Sequence, residues 1–441
     1  MGNCLCHILR PARRRDVDLG LLDINAATLE ELQALPGIGR QRAEAILDHR
    51  RRHGAFRSAS GLEAVPGIGP GLVASLRGKV GCGRTAAPGK RPRLPSPAAS
   101  PPAVRRRVGH EAVFFPDARL PCRHYLAGEA CRRKACAFAH EETGLSRLLR
   151  LLAGARRRVD LAVYALTQAD LADALEAAHK RGVAVRLITD DEQAKNSNSC
   201  VARLAAAGIR VRKDDNSKLH MHHKFAVLDG EVLINGSFNW TGAAVKGSNE
   251  NLVVSTCPRL AQCFSAEFDR LWKAFGAGEP GLADAAIPRP ETDISVLFFP
   301  DVGGCHVDAV RAEVAAARRS VDVAVFTLTL DKLVDVLIEK HRKGLRVRVI
   351  TDDRQSLCKG ADAKRLKEAG VRVRMDSSSY AMHHKFAVVD GTTLVNGSFN
   401  WTAQAARGNQ ENAVIFHRAD ALAKSFTAEF ERLWAKFGPP A

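Results

Sequence analysis

Two stretches of the sequence carry the same combination of residues that can act on a phosphate ester. Each has the pattern His-x-Lys-x4-Asp, then Gly-Ser-x-Asn, and each is followed by a Glu-Asn pair. The first set is His222, Lys224, Asp229, Ser237, Asn239 and Glu250; the second is His383, Lys385, Asp390, Ser398, Asn400 and Glu411. A single His-x-Lys is more typical of a core or metal-binding histidine. Two complete copies favour a catalytic role.

The spacing of these residues suits displacement at phosphorus. Residues i and i+2 of a strand share a face, so each histidine and its lysine should point into the same space. The lysine offers a positive charge to phosphate oxygens, and the serine and asparagine add hydrogen-bond donors. With two histidines, one can attack phosphorus while the other protonates the leaving oxygen, after which water hydrolyses the phosphohistidine.

Carboxylates complete this hypothesis. We expect Glu250 and Glu411 to hold the second ring nitrogen of the histidines and so to fix their tautomers. Asp229 and Asp390 are included among the predicted catalytic residues. The clustered carboxylates of a two-metal phosphodiesterase are missing from the motif, so we expect catalysis without a metal cofactor.

The chain contains an internal repeat. VDLAVYALT from Val159 returns as VDVAVFTLT from Val321, and MHHKFAVLDG from Met221 returns as MHHKFAVVDG from Met382. Each copy alternates buried-strand patterns with amphipathic helices, and in the first copy two strands are joined by a tight turn at Asp229-Gly230. The sequence therefore predicts two α/β halves with mixed sheets, at residues 108–278 and 291–441.

Both copies resemble the phospholipase D superfamily, and most closely its mitochondrial cardiolipin hydrolases. MHHKFAVLD and NGSFNWT carry the resemblance, which covers residues 108–275 and 293–437. It implies that His222 and His383 are the catalytic pair and that the lysines and asparagines of the two motifs bind the phosphate. Those relatives have one motif per chain, form homodimers and carry a membrane-spanning N-terminus. Two fused copies imply an internal pseudo-dimer that acts as a monomer, and the resemblance makes the mitochondrial outer membrane a candidate location.

A cysteine-rich insertion at residues 120–142 interrupts the first copy. FFPD at Phe114 returns at Phe298, and the longer spacing in the first copy corresponds to this insertion. Three cysteines and one histidine form a tetrahedral ligand set for structural zinc: Cys122, Cys131, Cys136 and His140. The middle gap is four residues, whereas family CCCH fingers usually have five. The basic and aromatic residues of the insertion are suited to binding single-stranded nucleic acid. The alternative is a purely structural zinc knuckle.

The N-terminal region carries a second repeat, LPGIG at Leu35 and VPGIG at Val65. It resembles a tandem helix-hairpin-helix module of the ComEA type, predicted as a small all-α domain at residues 21–82. The resemblance implies contact with the DNA backbone through amides near Gly37, Gly39, Gly67 and Gly69. A protein-binding or structural hairpin pair is the alternative. A Pro-, Ala-, Ser- and Arg-rich segment, residues 83–107, is predicted to be a disordered linker.

The first 20 residues resemble a dual-acylation signal, with myristate on Gly2 and palmitate on Cys4 and Cys6. An unmodified start is the alternative, and acylation would make the protein peripheral to a membrane. No apolar run reaches the ~18 residues of a spanning helix. The 11 cysteines are odd in number and scattered, which favours a reducing, intracellular compartment.

Three classes of function fit these features. Because nucleic acid and phospholipid are both phosphodiesters, the motif alone does not choose between an endonuclease and a cardiolipin hydrolase. A non-catalytic tether between nucleic acid and membrane is disfavoured because both motifs are intact. The net charge of +18, the helix-hairpin-helix repeat and the basic insertion favour an endonuclease acting on single-stranded nucleic acid.

Overall fold

The computed structural model describes the chain in two compact units, residues 1–104 and 105–441. The described residues are 22–25, 27, 32–33, 35–53, 56, 58–76, 80–81, 108–276 without 134 and 217, and 293–438 without 302, 358 and 359. The predicted acylation segment, the predicted linker at 83–107 and most of the link between the two copies lie outside these residues. Among the helices of this described part, none is long and apolar enough to cross a membrane.

The smaller unit is built from short helices around a compact apolar core. Its elements are β1 (Leu22–Asp23), α1 (Arg40–His53), a 3-10 helix (Ala59–Ala64), α2 (Pro70–Ser75) and β2 (Val80–Gly81). Gly37 and Gly67 take positive φ angles of 78° and 83°, which a glycine adopts without strain, and this lets each PGIG turn lead into the next helix. The unit is helical, as predicted, except that β1 and β2 form a short parallel pair of two residues each.

The first half of the larger unit follows the predicted alternation of strands and helices. Its strands are β3 (His110–Phe115), β4 (Arg158–Val163), β5 (Ala184–Thr189), β6 (Arg210–Lys213), β7 (Lys224–Leu228), β8 (Val232–Gly236) and β9 (Glu250–Ser255). Its helices are α3 (Arg123–Leu126), α4 (Gly144–Gly154), α5 (Ala169–Lys180), α6 (Asp191–Lys195), α7 (Val201–Ala206), α8 (Gly242–Lys246) and α9 (Pro258–Ala274).

The second half repeats this order without the cysteine-rich insertion. Its strands are β10 (Ile294–Phe299), β11 (Ser320–Val325), β12 (Arg346–Thr351), β13 (Arg372–Met375), β14 (Lys385–Val389), β15 (Thr393–Gly397) and β16 (Glu411–Phe416). Its helices are α10 (Cys305–Ala316), α11 (Asp331–Arg342), α12 (Ala363–Glu368), α13 (Ala403–Arg407) and α14 (Asp420–Lys436), with a 3-10 turn at Gln355–Leu357.

Each half contains one seven-stranded mixed sheet, as predicted. The orders are β3-β9-β8-β7-β4-β5-β6 and β10-β16-β15-β14-β11-β12-β13. The strands β4, β5 and β6 are parallel to one another and the others pair antiparallel, and the same holds in the second half. The tight turn between β7 and β8 has positive φ at both Asp229 and Gly230, which suits a two-residue hairpin.

The two halves pack on each other through one shared apolar core. Helices α9 and α14 contribute to a single buried cluster that includes residues of both sheets. Phe264 of α9 meets Phe298 of the other half edge to face, and Phe114 meets Phe426 in the same way, both at 5.0 Å between ring centroids. These matched contacts form the predicted internal pseudo-dimer, and they bring the starts of β7 and β14 towards each other.

Candidate active site

The two motif histidines lie where the halves meet, just before β7 and β14. The amide of His222 donates to the carbonyl of Gln410, and the amide of His383 donates to the carbonyl of Asn249, both at 3.0 Å. The segment before each catalytic strand is therefore fixed by the opposite half. Neither half could hold its histidine in this position alone.

Each histidine is paired with a carboxylate from the other half. Nδ1 of His222 is 2.8 Å from the Glu411 carboxylate, and Nδ1 of His383 is 2.9 Å from that of Glu250. All four residues are more than nine-tenths buried. The predicted contact between each histidine and a glutamate is thus present. In both cases the glutamate belongs to the opposite half. With Nδ1 donating to the carboxylate, Nε2 of each ring is the nitrogen available for chemistry.

The two lysines supply positive charge beside the histidines. Lys224 and Lys385 are almost fully buried, and each Nζ donates to the carbonyl of its own histidine, at 2.5 and 2.7 Å. Each ammonium also lies 5.0 Å from the centre of an aromatic ring, Tyr164 in the first half and Phe326 in the second. These cations can face the non-bridging oxygens of a phosphodiester.

Burial sets the protonation of this cluster. It lowers the pKa of His222 well below the usual value, and the charges of Lys224 and Lys385 act in the same direction. Burial also lowers the pKa of His383 to about 4, against the opposing effect of Glu250. The pKa of Lys224 falls to about 8 for the same reason. In the free protein at neutral pH the histidines are therefore neutral and can act as nucleophile or base.

Asp229 and Asp390 do not join this cluster, which corrects the prediction that they are catalytic. Asp229 lies at the far end of β7, and five residues of strand span about 16 Å. Its carboxylate accepts from the amides of Arg156, Arg157 and Arg158 at 2.7 to 2.9 Å. Asp390 binds the corresponding amides in the second half. Each therefore stabilises the turn that follows its catalytic strand.

The serines are also placed differently from the phosphate-binding role predicted for them. Ser237 is fully buried; its hydroxyl donates to Glu250 at 2.7 Å and accepts from the amide of Asn251. Ser398 accepts from the amide of Asn412 and bonds to Glu411. Both serines therefore orient the catalytic carboxylates. Asn239 and Asn400 remain partly exposed at the same turns, and their predicted contact with phosphate remains a prediction.

A second pair of histidines locks the halves together, and the sequence reasoning missed it. His223 and His384 are fully buried, and each accepts from an asparagine amide of the other half, Asn412 at 3.0 Å and Asn251 at 2.8 Å. On the opposite ring edge lie the buried carboxylates of Glu267 and Glu429. The repeated MHHK and Glu-Asn sequences were the available signal. The partner of each residue becomes visible only once the halves are packed.

The cysteine-rich insertion brings its four predicted ligands together. One ligand atom from each of Cys122, Cys131, Cys136 and His140 lies within 4.8 Å of all the others. A set of three thiolates and one imidazole is typical of a structural zinc site. Arg132, Arg133 and Phe138 are exposed on the insertion, while the Tyr125 hydroxyl is engaged by Arg150 at 2.5 Å.

Comparisons with known proteins agree with this geometry. The family model described as "Cardiolipin synthase, PLD-like domain" matches residues 148–272 and 310–434, and a helix-hairpin-helix motif matches residues 17–81. The mitochondrial cardiolipin hydrolase of Chlamydomonas reinhardtii is 44% identical over 165 residues, covering 37% of this chain and 74% of its own length. The human protein of that name is 38% identical over 178 residues, covering 39% and 70%. The phosphatidylserine synthase of Haemophilus influenzae shares the fold, with a TM-score of 0.52 at 11% identity, covering 74% of this chain and 86% of that one.

Proposed function

Because the chain belongs to the phospholipase D family of phosphodiesterases, we propose that it hydrolyses phosphodiesters through a phosphohistidine and that its substrate is single-stranded nucleic acid. The observation that carries the proposal is the pair of crossed contacts His222–Glu411 and His383–Glu250. They support it because each contact orients one imidazole where the two halves meet, and a two-step displacement needs two oriented imidazoles.

In the first step one imidazole attacks phosphorus. The neutral Nε2 of His222 forms the P–N bond, and the charge that develops on its ring is stabilised by Glu411 through Nδ1. The bound phosphodiester brings a negative charge that favours protonation of His383, as does Glu250. His383 can then give its Nε2 proton to the leaving oxygen as the P–O bond breaks. Lys224 and Lys385 balance the charge on the non-bridging oxygens.

In the second step the roles of His383 reverse. Now neutral, it takes a proton from water, whose oxygen attacks phosphorus on the side that the leaving group has vacated. The P–N bond breaks and His222 returns to its neutral state. The products are an alcohol and a phosphomonoester.

Nucleic acid is favoured over lipid by features outside the catalytic cluster. The net charge of +18 favours a polyanion, and the helix-hairpin-helix match adds a module typical of contact with nucleic-acid backbone. The insertion presents Arg132 and Arg133 with Phe138, a combination suited to a strand with unstacked bases. We further propose that the insertion binds structural zinc through its four clustered ligands.

Cardiolipin hydrolysis is the second candidate. It is supported by the relatives named mitochondrial cardiolipin hydrolase, whose similarity extends over 165 and 178 residues of this chain. On this alternative the protein would act at a mitochondrial membrane, and acylation at Gly2, Cys4 and Cys6 would attach it there.

A direct assay separates the two substrates. Purified full-length protein would be incubated briefly in EDTA with labelled single-stranded RNA, single-stranded DNA, duplex DNA and cardiolipin vesicles. We expect cleavage of single strands with an affinity that falls steeply with salt, since phosphate contacts release counterions. Brisk hydrolysis of cardiolipin with no cleavage of any nucleic acid would reject the preferred substrate.

Histidine variants test the mechanism in the same assay. His222→Ala and His383→Ala should each abolish turnover, because each histidine has a separate and necessary step. His179→Ala and His341→Ala are matched controls: these histidines occupy equivalent positions near the ends of α5 and α11 and should leave the rate unchanged. Near-normal turnover in either catalytic variant would contradict the two-histidine mechanism.

A further inference from the structure

The two half-sites are built alike but differ at positions that touch the catalytic histidines. The ring centroid of Tyr164 lies 4.9 Å from that of His222, whereas the equivalent ring at His383 is Phe326, at 4.7 Å. Two residues before His222 stands His220, and two residues before His383 stands Ala381. The first half therefore carries an additional imidazole and a phenol that the second half lacks.

His220 is held in a fixed orientation beside His222. Its Nδ1 lies 3.1 Å from Oδ2 of Asp190, and its ring centroid lies 5.5 Å from that of Tyr164. Its amide donates to Asn409 of the other half at 3.1 Å. The side chain retains 28% of its exposure, so the imidazole is both anchored and accessible. With Nδ1 occupied by the carboxylate, Nε2 is the edge that can meet a ligand.

The second half uses the corresponding carboxylate for a different purpose. Oδ2 of Asp352 accepts from the amide of Met382 at 3.2 Å, a bond that Asp214 makes to Met221 in the first half. In the first half Asp190 is thereby available to the imidazole. Beside Ala381 the second half presents Tyr380, which is 45% exposed. The ring of Tyr380 lies against Gly247 of the first half, so of these two equivalent positions the first half alone presents an anchored imidazole.

We propose that His220 is a specificity residue that hydrogen-bonds a ribose 2′-hydroxyl of an RNA strand on the first-half side of the scissile phosphate. The inference rests on the proposed nuclease function. A hydroxyl can both donate and accept, and it is the group that distinguishes RNA from DNA. A second phosphate fits less well, because the carboxylate of Asp190, which contacts His220, and that of Asp214 nearby would repel it.

A contact made by one half of the site would also fix the direction of the bound strand. A nucleic-acid strand has two different ends. On this proposal, only the first half of the site forms a hydrogen bond to the ribose 2′-hydroxyl. The strand should therefore bind in one orientation. A cleft with two identical halves would accept the strand either way round.

The test compares kcat/KM for single strands of one sequence made as RNA, DNA and 2′-O-methyl RNA. Wild-type protein should prefer RNA by about five- to tenfold, the value of one hydrogen bond. His220→Ala should bring the RNA rate down to the DNA rate and leave the DNA rate unchanged. His220→Gln, which keeps a polar group at similar reach, should retain part of the preference.

Controls separate a loss of recognition from a loss of fold. Alanine already occupies the equivalent position 381 in the same backbone setting, so His220→Ala should keep its melting temperature and its rate on bis(p-nitrophenyl) phosphate, which has no hydroxyl. An unchanged RNA-to-DNA ratio in His220→Ala, or an equal loss on both substrates, would overturn the inference. Hydrolysis of cardiolipin vesicles with no cleavage of RNA or DNA would instead refute the proposed function.

Discussion

Replacing Glu411 with glutamine tests whether the crossed carboxylate supports the catalytic imidazole. The amide oxygen of glutamine can still accept from Nδ1 of His222, so the ring should keep its orientation while the negative charge is lost. Glu411 is fully buried, and burial raises its pKa to about 8 in the free protein; the positive charge that His222 gains lowers this pKa again and favours the carboxylate when the P–N bond forms. The carboxylate matters most when His222 becomes positively charged, as it does on forming the P–N bond.

The size of the effect follows from this contact. A hydrogen bond to a charged group contributes about 1.5 to 3 kcal/mol. Glutamine keeps a neutral hydrogen bond of about 0.5 to 1.5 kcal/mol, so the loss is about 1 to 1.5 kcal/mol. Since 1.36 kcal/mol corresponds to a factor of ten, kcat should fall by about 5- to 13-fold. The KM should change little, because Glu411 reaches the substrate only through His222. Glu250→Gln should produce a loss of similar size through His383.

Steady-state kinetics on bis(p-nitrophenyl) phosphate would measure the loss, with circular dichroism to verify the fold. Glu429→Gln is the matched control, because Glu429 is also a buried carboxylate beside a histidine, His384, at 3.3 Å, but that histidine is part of the contact between the halves. It should lower thermal stability and change kcat only a few-fold. If Glu411→Gln kept kcat within twofold of wild type, the carboxylate would not stabilise the charged imidazole and the reasoning would be wrong.

Further outcomes follow from other parts of the structure. Because burial lowers the pKa of Lys224 to about 8 and the pKa of Lys385 well below its usual value, positive charge is lost from the site as the pH rises; kcat/KM should decline in alkaline solution, and Lys224→Arg, which stays charged, should lessen that decline. Because both half-sites lie on one chain, specific activity should not change on dilution, and light scattering should show a monomer; activity that falls with the square of concentration would point to sites shared between chains. If the insertion holds zinc, elemental analysis should find one zinc per chain, and Cys131→Ser should make residues 120–142 sensitive to proteolysis, whereas equal protease resistance in both proteins would argue against the metal.

Much of the fold could be predicted because the sequence pattern of the α/β unit occurs twice in the chain. The repeat fixed the order of elements, and alternation of apolar runs with amphipathic segments located the strands and helices to within a few residues. The two histidines and lysines were predicted as a cluster because their spacing places them together at the start of one strand. The glycine turns of the N-terminal module were equally visible in the sequence.

What the sequence left open depends on contacts between distant segments. Asp229 belongs to the same motif as His222, but a strand of five residues carries it away from the cleft to a turn. Ser237 lies next to the site, but its hydroxyl is used by Glu250. The crossing of Glu411 to His222, and of Asn412 to His223, arises only when the halves pack, at a separation of 189 residues. Spacing within a motif cannot report such partners.

The joining of both halves in one chain has a consequence for how such a site can change. In a symmetric dimer of identical subunits every mutation is made twice, so a residue that helps on one side of the cleft must also be tolerated on the other. Here the positions of His220 and Ala381 are encoded separately and can be selected separately. Two separately encoded halves thus allow one side of the site to change while the other stays as it is.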